Sequence, residues 1–431
     1  MTVTTAVVVL PRRVAVWASR RAVARTSVTG IELACALCAA VWFSAGTPLT
    51  SLGGGAALGG GYLARRVGGQ LTVGAFDGWL ASVCALAGEL AVYAGLAAGA
   101  APGPGRVWTL ATAAAVVLGM RKVARLCRPA RPPAPAGQES TPEEASTGPA
   151  RALAGLATRL PGLPAGERAV VITVTAAVYG TRMSLLVLTW WGAVALAWAV
   201  AGPRGPRPEH APDRASGDAP AHAPADAPDD APVPARPADL VAARDDGPIA
   251  RFAGAVVRGQ LVPLPPAVAG LTATILLAML GLHDLAGPVL LTPVAAMLLA
   301  APGSAHPHNG PLDWLTPLVI QAGQYAYLAA LGFAKGVPGP LVFALTGLVA
   351  LRQLDAAYRA RHPMLAGEAR GGIGWEGRML AAGVGAMLGV ATFSYLALTV
   401  YLLWLLCSGS LASWLAARVR PRGVQRTSLG S

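Results

Sequence analysis

Apolar residues along this chain gather into long uninterrupted runs, and the polar residues fall between the runs rather than alternating within them. The runs lie at about 28–46, 47–64, 71–99, 107–120, 168–181, 183–201, 264–282, 286–302, 314–334, 337–351, 379–394 and 396–416. A helix of about twenty apolar residues spans the hydrocarbon core of a bilayer, so runs of this kind predict membrane helices rather than soluble amphipathic ones. The pattern therefore predicts an all-α polytopic membrane protein of about twelve transmembrane helices in two six-helix halves. Several runs are rich in Ala and Gly, most of all around Gly53-Gly54-Gly55 and Gly59-Gly60-Gly61, where helix backbones can approach closely in lipid.

The polar stretches set the domain plan. Residues 129–166 are rich in Pro, Ala, Glu and Thr, and residues 202–247 repeat units such as Asp218-Ala219-Pro220 and Asp226-Ala227-Pro228. Neither can bury enough apolar surface to fold alone, so both are expected to be disordered. This gives a six-span domain at 1–201 containing the loop 129–166, a linker at 202–247, a second six-span domain at 248–420 and a tail at 421–431.

Arginine placement gives an orientation. With the N-terminus inside, the inside connections carry Arg65-Arg66, then Arg121, Lys122, Arg125, Arg128 and Arg131, then Arg204 and Arg207, then Arg352, Arg359 and Arg361, then Arg418, Arg420 and Arg422. The outside connections carry little beyond Arg106, Arg182 and Lys335, so both termini are expected in the cytoplasm and the protein in the cell membrane. The mildly apolar stretch from Met1 to Leu10 comes before Arg12, Arg13, Arg20, Arg21 and Arg25. A signal peptide places its basic residues ahead of its apolar core, so no cleavage is expected. Arg182 reads as a headgroup-level residue between two short spans, and Trp190 and Trp191 as lipid-facing or packing residues.

Composition fits the same picture. The 431 residues are 54% hydrophobic and 13% charged, with a mean hydropathy of +0.52, too little polar material to coat a soluble core of that size. A net charge of +13 would suit nucleic acid, but the basic residues cluster at the ends of apolar runs, which excludes that class in favour of anchoring at a membrane. Cys35-x-x-Cys38 lies within an apolar run with no further Cys or His nearby and reads as two small apolar residues. His306, His308 and His362 have poor zinc spacing, so no metal site is expected there.

One segment carries recognisable chemistry. Gly61-x-x-Ala64-Arg65, eight residues, then Gly74 resembles the CDP-alcohol phosphatidyltransferase signature D-G-x-x-A-R-x8-G-x3-D-x3-D. The segment Glu89-Leu90-Ala91-Val92-Tyr93-Ala94-Gly95-Leu96 is similar to the continuation of that signature in actinobacterial proteins. The resemblance implies a six-span, commonly dimeric fold with its site facing the cytoplasm and a Mg or Mn pair caged by four carboxylates. Those metals would neutralise the CDP pyrophosphate and help form the attacking alkoxide. Here the carboxylate positions fall on Gly60, Gly78, Ser82 and Ala57. Asp77 lies one place early, and a one-residue deletion would align it with the first of the later pair. At most one carboxylate survives, so Gly61, Ala64, Arg65, Gly74 and Asp77 read as a substrate-binding relic and no cofactor is expected. Glu89 and Glu32 read as buried carboxyls, protonated or hydrogen-bonded, within their spans.

The second half resembles an actinobacterial membrane domain of unknown function. The stretches that carry the likeness are Gly310-Pro311-Leu312-Asp313-Trp314, Gln324-Tyr325, Asp355-x-x-Tyr358-Arg359 and Gly371-Gly372-Ile373-Gly374-Trp375-Glu376-Gly377-Arg378. The likeness implies an acidic residue at the position of Gln324. Asp313, Asp355 and Glu376 are the candidate catalytic carboxylates, with Arg359 and Arg378 as candidate phosphate-binding residues, if they converge at one cytoplasmic surface. The simpler arrangement is an i,i+4 pair of Asp355 with Arg359, and a cap formed by Glu376 and Arg378 on the next span. The expected function is a catalytically silent phosphatidyltransferase-like membrane protein that binds lipid or a membrane partner, a second copy among them. The alternative is an active phospholipid-related phosphotransferase or hydrolase with its site in the C-terminal half.

Overall fold

A computed structural model describes residues 25–71, 75–100, 104–128, 165–201, 244–257, 264–280, 287–299, 312–362 and 372–419. Gly74, His306, His308 and most of the two expected linkers lie outside the described residues. Among the described residues there are helices and no strands. They are α1 (Arg25–Ser44), α2 (Pro48–Gly68), α3 (Ala75–Gly99), α4 (Pro104–Cys127), α5 (Ala165–Tyr179), α6 (Thr181–Ala201), α7 (Pro248–Val257), α8 (Leu264–Met279), α9 (Thr292–Leu298), α10 (Thr316–Ala334), α11 (Gly339–Arg361), α12 (Gly374–Met387) and α13 (Ala391–Val419). Short 3-10 turns at Gly287–Leu291 and Asp313–Leu315 lead into α9 and α10.

Each expected apolar run is met by a helix, but among the described residues six helices, not about twelve, are long and apolar enough to cross a membrane: those at Arg25–Ser44, Phe76–Gly99, Arg106–Cys127, Thr181–Ala201, Gly339–Arg361 and Ala391–Leu415. The apolar stretches Leu264–Met279 and Gly287–Leu298 are shorter than a full crossing. Hydropathy misses α7, because a ten-residue helix leaves no long run.

The chain forms two compact units that are not contiguous in sequence. The first comprises Met1–Leu71 and Gly88–Leu240, and the second Thr72–Ala87 and Val241–Ser431. The first turns of α3 therefore belong with the C-terminal residues, while Glu89 belongs to the first unit.

In the first unit, α1 and α2 pair as a tight hairpin. Thr47 caps α2 reciprocally with Thr50, and Pro48 presets its first turn. Gly46 turns with φ +70° and packs on the Gly99 carbonyl, so a side chain there meets both a steric and a conformational barrier. Gly95 lies against the Ala40 carbonyl and Gly54 against the Phe43 ring, and these close approaches bring α1 onto α2 and α3. Trp190 is 73% exposed on α6, as a lipid-facing residue would be, and Arg182 is exposed beside the Gly180 turn.

In the second unit the core is aromatic and polar. Trp375, Tyr325, Tyr327 and Tyr395 are fully buried. The Tyr327 hydroxyl donates to the Leu290 carbonyl at 2.9 Å and the Tyr395 hydroxyl to the Leu328 carbonyl at 2.5 Å, so neither strands a polar group.

Candidate functional site

In the first unit the relic residues serve mainly as packing. Gly61 faces α1, where an added Cβ would stand 3.3 Å from the Cys35 Cβ, so this glycine and Cys35 form one small-residue contact. Gly60, at the first carboxylate position, is exposed, and the Ser82 hydroxyl donates to its own helix at the Gly78 carbonyl, 2.9 Å away. Ala64 is half-buried on α2. Asp77 stands in the first turn of α3 and belongs to the second unit, while Arg65 belongs to the first.

Arg65 has a carboxylate partner that lies outside the signature: Glu32 of α1, at 3.2 Å. One step away, Glu89 of α3 receives both terminal nitrogens of Arg168 from α5, at 2.8 and 3.0 Å, and stands 3.3 Å from Lys122 Nζ of α4. Glu89 and Glu32 are thus hydrogen-bonded or ion-paired carboxyls. The two groups form a single electrostatic cluster, since Lys122 and Arg25 also act on Glu32, and Arg65 acts on Glu89. Arg25, Arg65, Lys122 and Arg168 thus surround two carboxylates, and Arg121 lies within electrostatic reach of both Arg125 and Arg168.

In the second unit the charged residues form a buried chain. Asp355 on α11 is 3% exposed and accepts three hydrogen bonds: from Trp79 Nε1 at 2.8 Å, Arg359 Nε at 2.6 Å and Arg352 at 2.9 Å. Arg352 continues to Asp245 at 3.4 Å, and Asp245 accepts from Arg378 at 2.7 Å. At the far end Arg359 donates to the Ser413 hydroxyl and the Gly409 carbonyl of α13, and its guanidinium stands 5.0 Å over the Trp79 ring. At the near end Arg378 donates to Gln324 Oε1, which also accepts from Gln353, whose own carbonyl takes the Tyr325 hydroxyl at 2.6 Å.

Glu376 acts on a helix other than its own. Its two oxygens accept the backbone N–H groups of Gly247 and Ala250, at 3.1 and 3.2 Å, and so cap the start of α7. Burial raises its pKa above the ordinary carboxylate value, and the backbone donors offset part of that rise. Arg244 pairs with Asp246 at 2.9 Å, and Asp246 accepts from Trp375 Nε1. Burial lowers the pKa of Arg244, against the pull of Asp246.

The i,i+4 pair of Asp355 with Arg359 is present as the spacing implies. Arg378 and Glu376 do not cap α12 together: Arg378 turns to Asp245, and Glu376 turns to α7. Composition places residues 244–247 in a disordered linker, whereas Arg244 and Gly247 are buried and Asp245 holds two arginines. The make-up of the linker hides them, because Asp245, Asp246 and Gly247 have partners more than a hundred residues away. Arg352 enters the sequence reading only as an orientation marker, and Trp79 does not enter it. Asp313 opens the turn before α10, apart in sequence from the other carboxylates, and among the described residues no three His, Cys, Asp or Glu side chains gather as a metal cage.

Residues 235–424 match the model of a family of unknown function, DUF5941. No match to a phosphatidyltransferase family covers the N-terminal half, whose likeness to that signature rests on the residues quoted above. No curated protein and no solved structure matches the chain.

Proposed function

We propose that this chain is a non-catalytic membrane protein of phosphatidyltransferase-like ancestry that holds anionic phospholipid headgroups at its N-terminal unit. The observation that carries this reading is the cluster of Arg25, Arg65, Lys122 and Arg168 around two carboxylates that are already ion-paired. Such a cluster keeps the attraction for a phosphate while offering a divalent metal nothing to bind. The residues present do not fit the metal pair of the family, since its carboxylate positions are Gly60, Gly78, Ser82 and Ala57. The arginine pattern of the connections supports a cytoplasmic position for this cluster, on the side of a cell membrane where anionic lipids give the surface its negative potential.

The reverse arrangement, a phosphotransferase or hydrolase using Asp313, Asp355 and Glu376, asks Asp355 to release two arginines, and Glu376 to release the N–H groups of α7, before either acts as base or ligand. Both readings meet in one assay. Reconstituted protein given Mg²⁺ or Mn²⁺, CDP-diacylglycerol and a panel of alcohols should show no turnover, and turnover abolished by Asp77→Asn would overturn the reading. Each basic residue near a membrane surface contributes about 1 kcal/mol to binding anionic lipid. Arg65→Gln with Lys122→Gln should therefore weaken retention of phosphatidylglycerol in native mass spectrometry by roughly 30-fold.

A further inference from the structure

The C-terminal unit holds hydrogen-bonding capacity that the described residues leave unused. Gln321 on α10 is 1% exposed, and among the described residues neither its amide nitrogen nor its carbonyl oxygen has a partner. One turn further on, Gln324 is fully buried and its Nε2 is likewise unpartnered. Residues three apart on a helix are surface neighbours, so the two amides share one face. Arg378, 1% exposed, donates through one terminal nitrogen to Gln324 Oε1 while its Nε has no partner. Unused polar groups of this kind are expensive away from water, and a native core leaves few of them. Four of them lie on these three side chains, beside others in the unit on Thr316, Arg244 and Arg352.

The unused groups have a direction. Gln321 Nε2, Gln324 Nε2 and Arg378 Nε are all donors, and Gln321 Oε1 is the one acceptor among them. The ionic chain that ends at Arg378 runs through Asp245, Arg352 and Asp355 to Arg359, three guanidinium groups against two carboxylates. Asp246 is taken by Arg244, and Glu376 by the N–H groups of α7. Surplus donors beside a chain one negative charge short suit an oxygen-rich anion.

We propose that Gln321, Gln324 and Arg378 form a binding site for a phosphate-bearing anion inside the C-terminal unit. It draws on different residues from the N-terminal lipid cluster and stands whether or not that cluster binds lipid. The carboxamides would donate to phosphate oxygens and the guanidinium would supply the opposing charge, with no bond made or broken. Free phosphate and a phosphodiester headgroup present the same oxygens, and the two are separable by experiment.

The full chain in phosphatidylcholine nanodiscs, titrated with inorganic phosphate or with dihexanoyl-phosphatidylglycerol against chloride at equal ionic strength, should show a saturable rise in Tm. A rise with phosphate identifies the free anion, and a rise confined to the lipid identifies the headgroup. Gln321→Leu should weaken the apparent affinity at least tenfold while leaving the unliganded Tm unchanged or higher, since it removes a stranded amide. Gln324→Leu should weaken it as much but lower the unliganded Tm, since Arg378 and Gln353 lose the carbonyl they donate to. Gln321→Glu, which keeps the side chain's shape and repels an anion, should abolish the rise even if the leucine variants fold poorly. No saturable rise with either probe would overturn the site. So would a rise that persists undiminished in all three variants, or one lost instead in Arg65→Gln with Lys122→Gln.

Discussion

The two units bury charge in opposite ways. In the N-terminal unit, cations from four helices crowd around Glu32 and Glu89 and outnumber them. In the C-terminal unit, Arg244 is matched by Asp246, while Arg352, Arg359 and Arg378 share Asp245 and Asp355 along one chain. A chain linked in this way holds itself together, and it joins α11, α12, α13 and the segment at 244–247 by bonds that apolar packing could not specify. At its Arg378 end, where Glu376 turns away to α7, it leaves donors over. An unbalanced cluster keeps a field that a ligand can satisfy. The contrast separates charge that orders a fold from charge that awaits a partner.

The sharpest way to break the contrast is Asp355→Asn. That carboxylate is held by Arg352, Arg359 and Trp79 at once, and removing one partner of a buried ionic group costs about 3–5 kcal/mol because the others are left uncompensated. The variant should unfold at much lower temperature by tryptophan fluorescence. Its lipid binding at the N-terminal cluster, measured below that temperature, should be unchanged. A thermal midpoint equal to that of the parent would mean that the chain of arginines is ornamental.

Much of the helical layout is legible in the sequence, because a run of apolar residues announces a helix without reference to anything distant. Local pairs are legible for the same reason, as with Asp355 and Arg359 at i,i+4. What stays hidden is every partner chosen by the tertiary fold. Glu376 looks like a cap for its own helix and instead caps α7, across 129 and 126 residues. Asp245 looks like one more acidic residue in a Pro/Ala/Asp-rich linker and is the joint between Arg352 and Arg378. Arg65 looks like the survivor of a nucleotide site, and its pairing with Glu32 depends on how α1 lies against α2. Charge counts along the chain record where cations lie, and say nothing of which ones a fold will neutralise.

A second test addresses how the N-terminal unit holds its helices without a polar chain of that kind. Gly95 of α3 abuts the Ala40 backbone of α1, and a methyl group there would run into a carbonyl that cannot rotate away. Gly95→Ala should therefore lower stability by about 1–3 kcal/mol, the usual cost of overpacking. Gly59 has open space at the same position, so Gly59→Ala should be neutral or slightly stabilising, since alanine is the better helix former. Thermal unfolding of the pair in one detergent checks both. Equal effects would show that helix contact in this unit does not depend on glycine at α3.

The smallest effect is expected at Glu376, where burial and the helix N–H groups act in opposite directions. Burial penalises the charged carboxylate, while the N–H groups of Gly247 and Ala250 reward it, and the net result is a folded-state pKa above the ordinary value. A raised folded pKa means that the native state holds the proton more tightly than the unfolded chain. That contribution is fully present below the ordinary carboxylate value and is lost as pH rises through the folded value. Stability should thus decline across that interval in the parent protein. Glu376→Gln resembles the protonated form: it keeps a carbonyl acceptor for one N–H of α7 and carries no charge to desolvate. The substitution should change stability at neutral pH by no more than about 1 kcal/mol, the scale of one helix cap. It should also flatten the decline with pH. A parent and variant with parallel pH profiles would show that the carboxylate titrates as it does in water, and that its balance with α7 is not what the geometry implies.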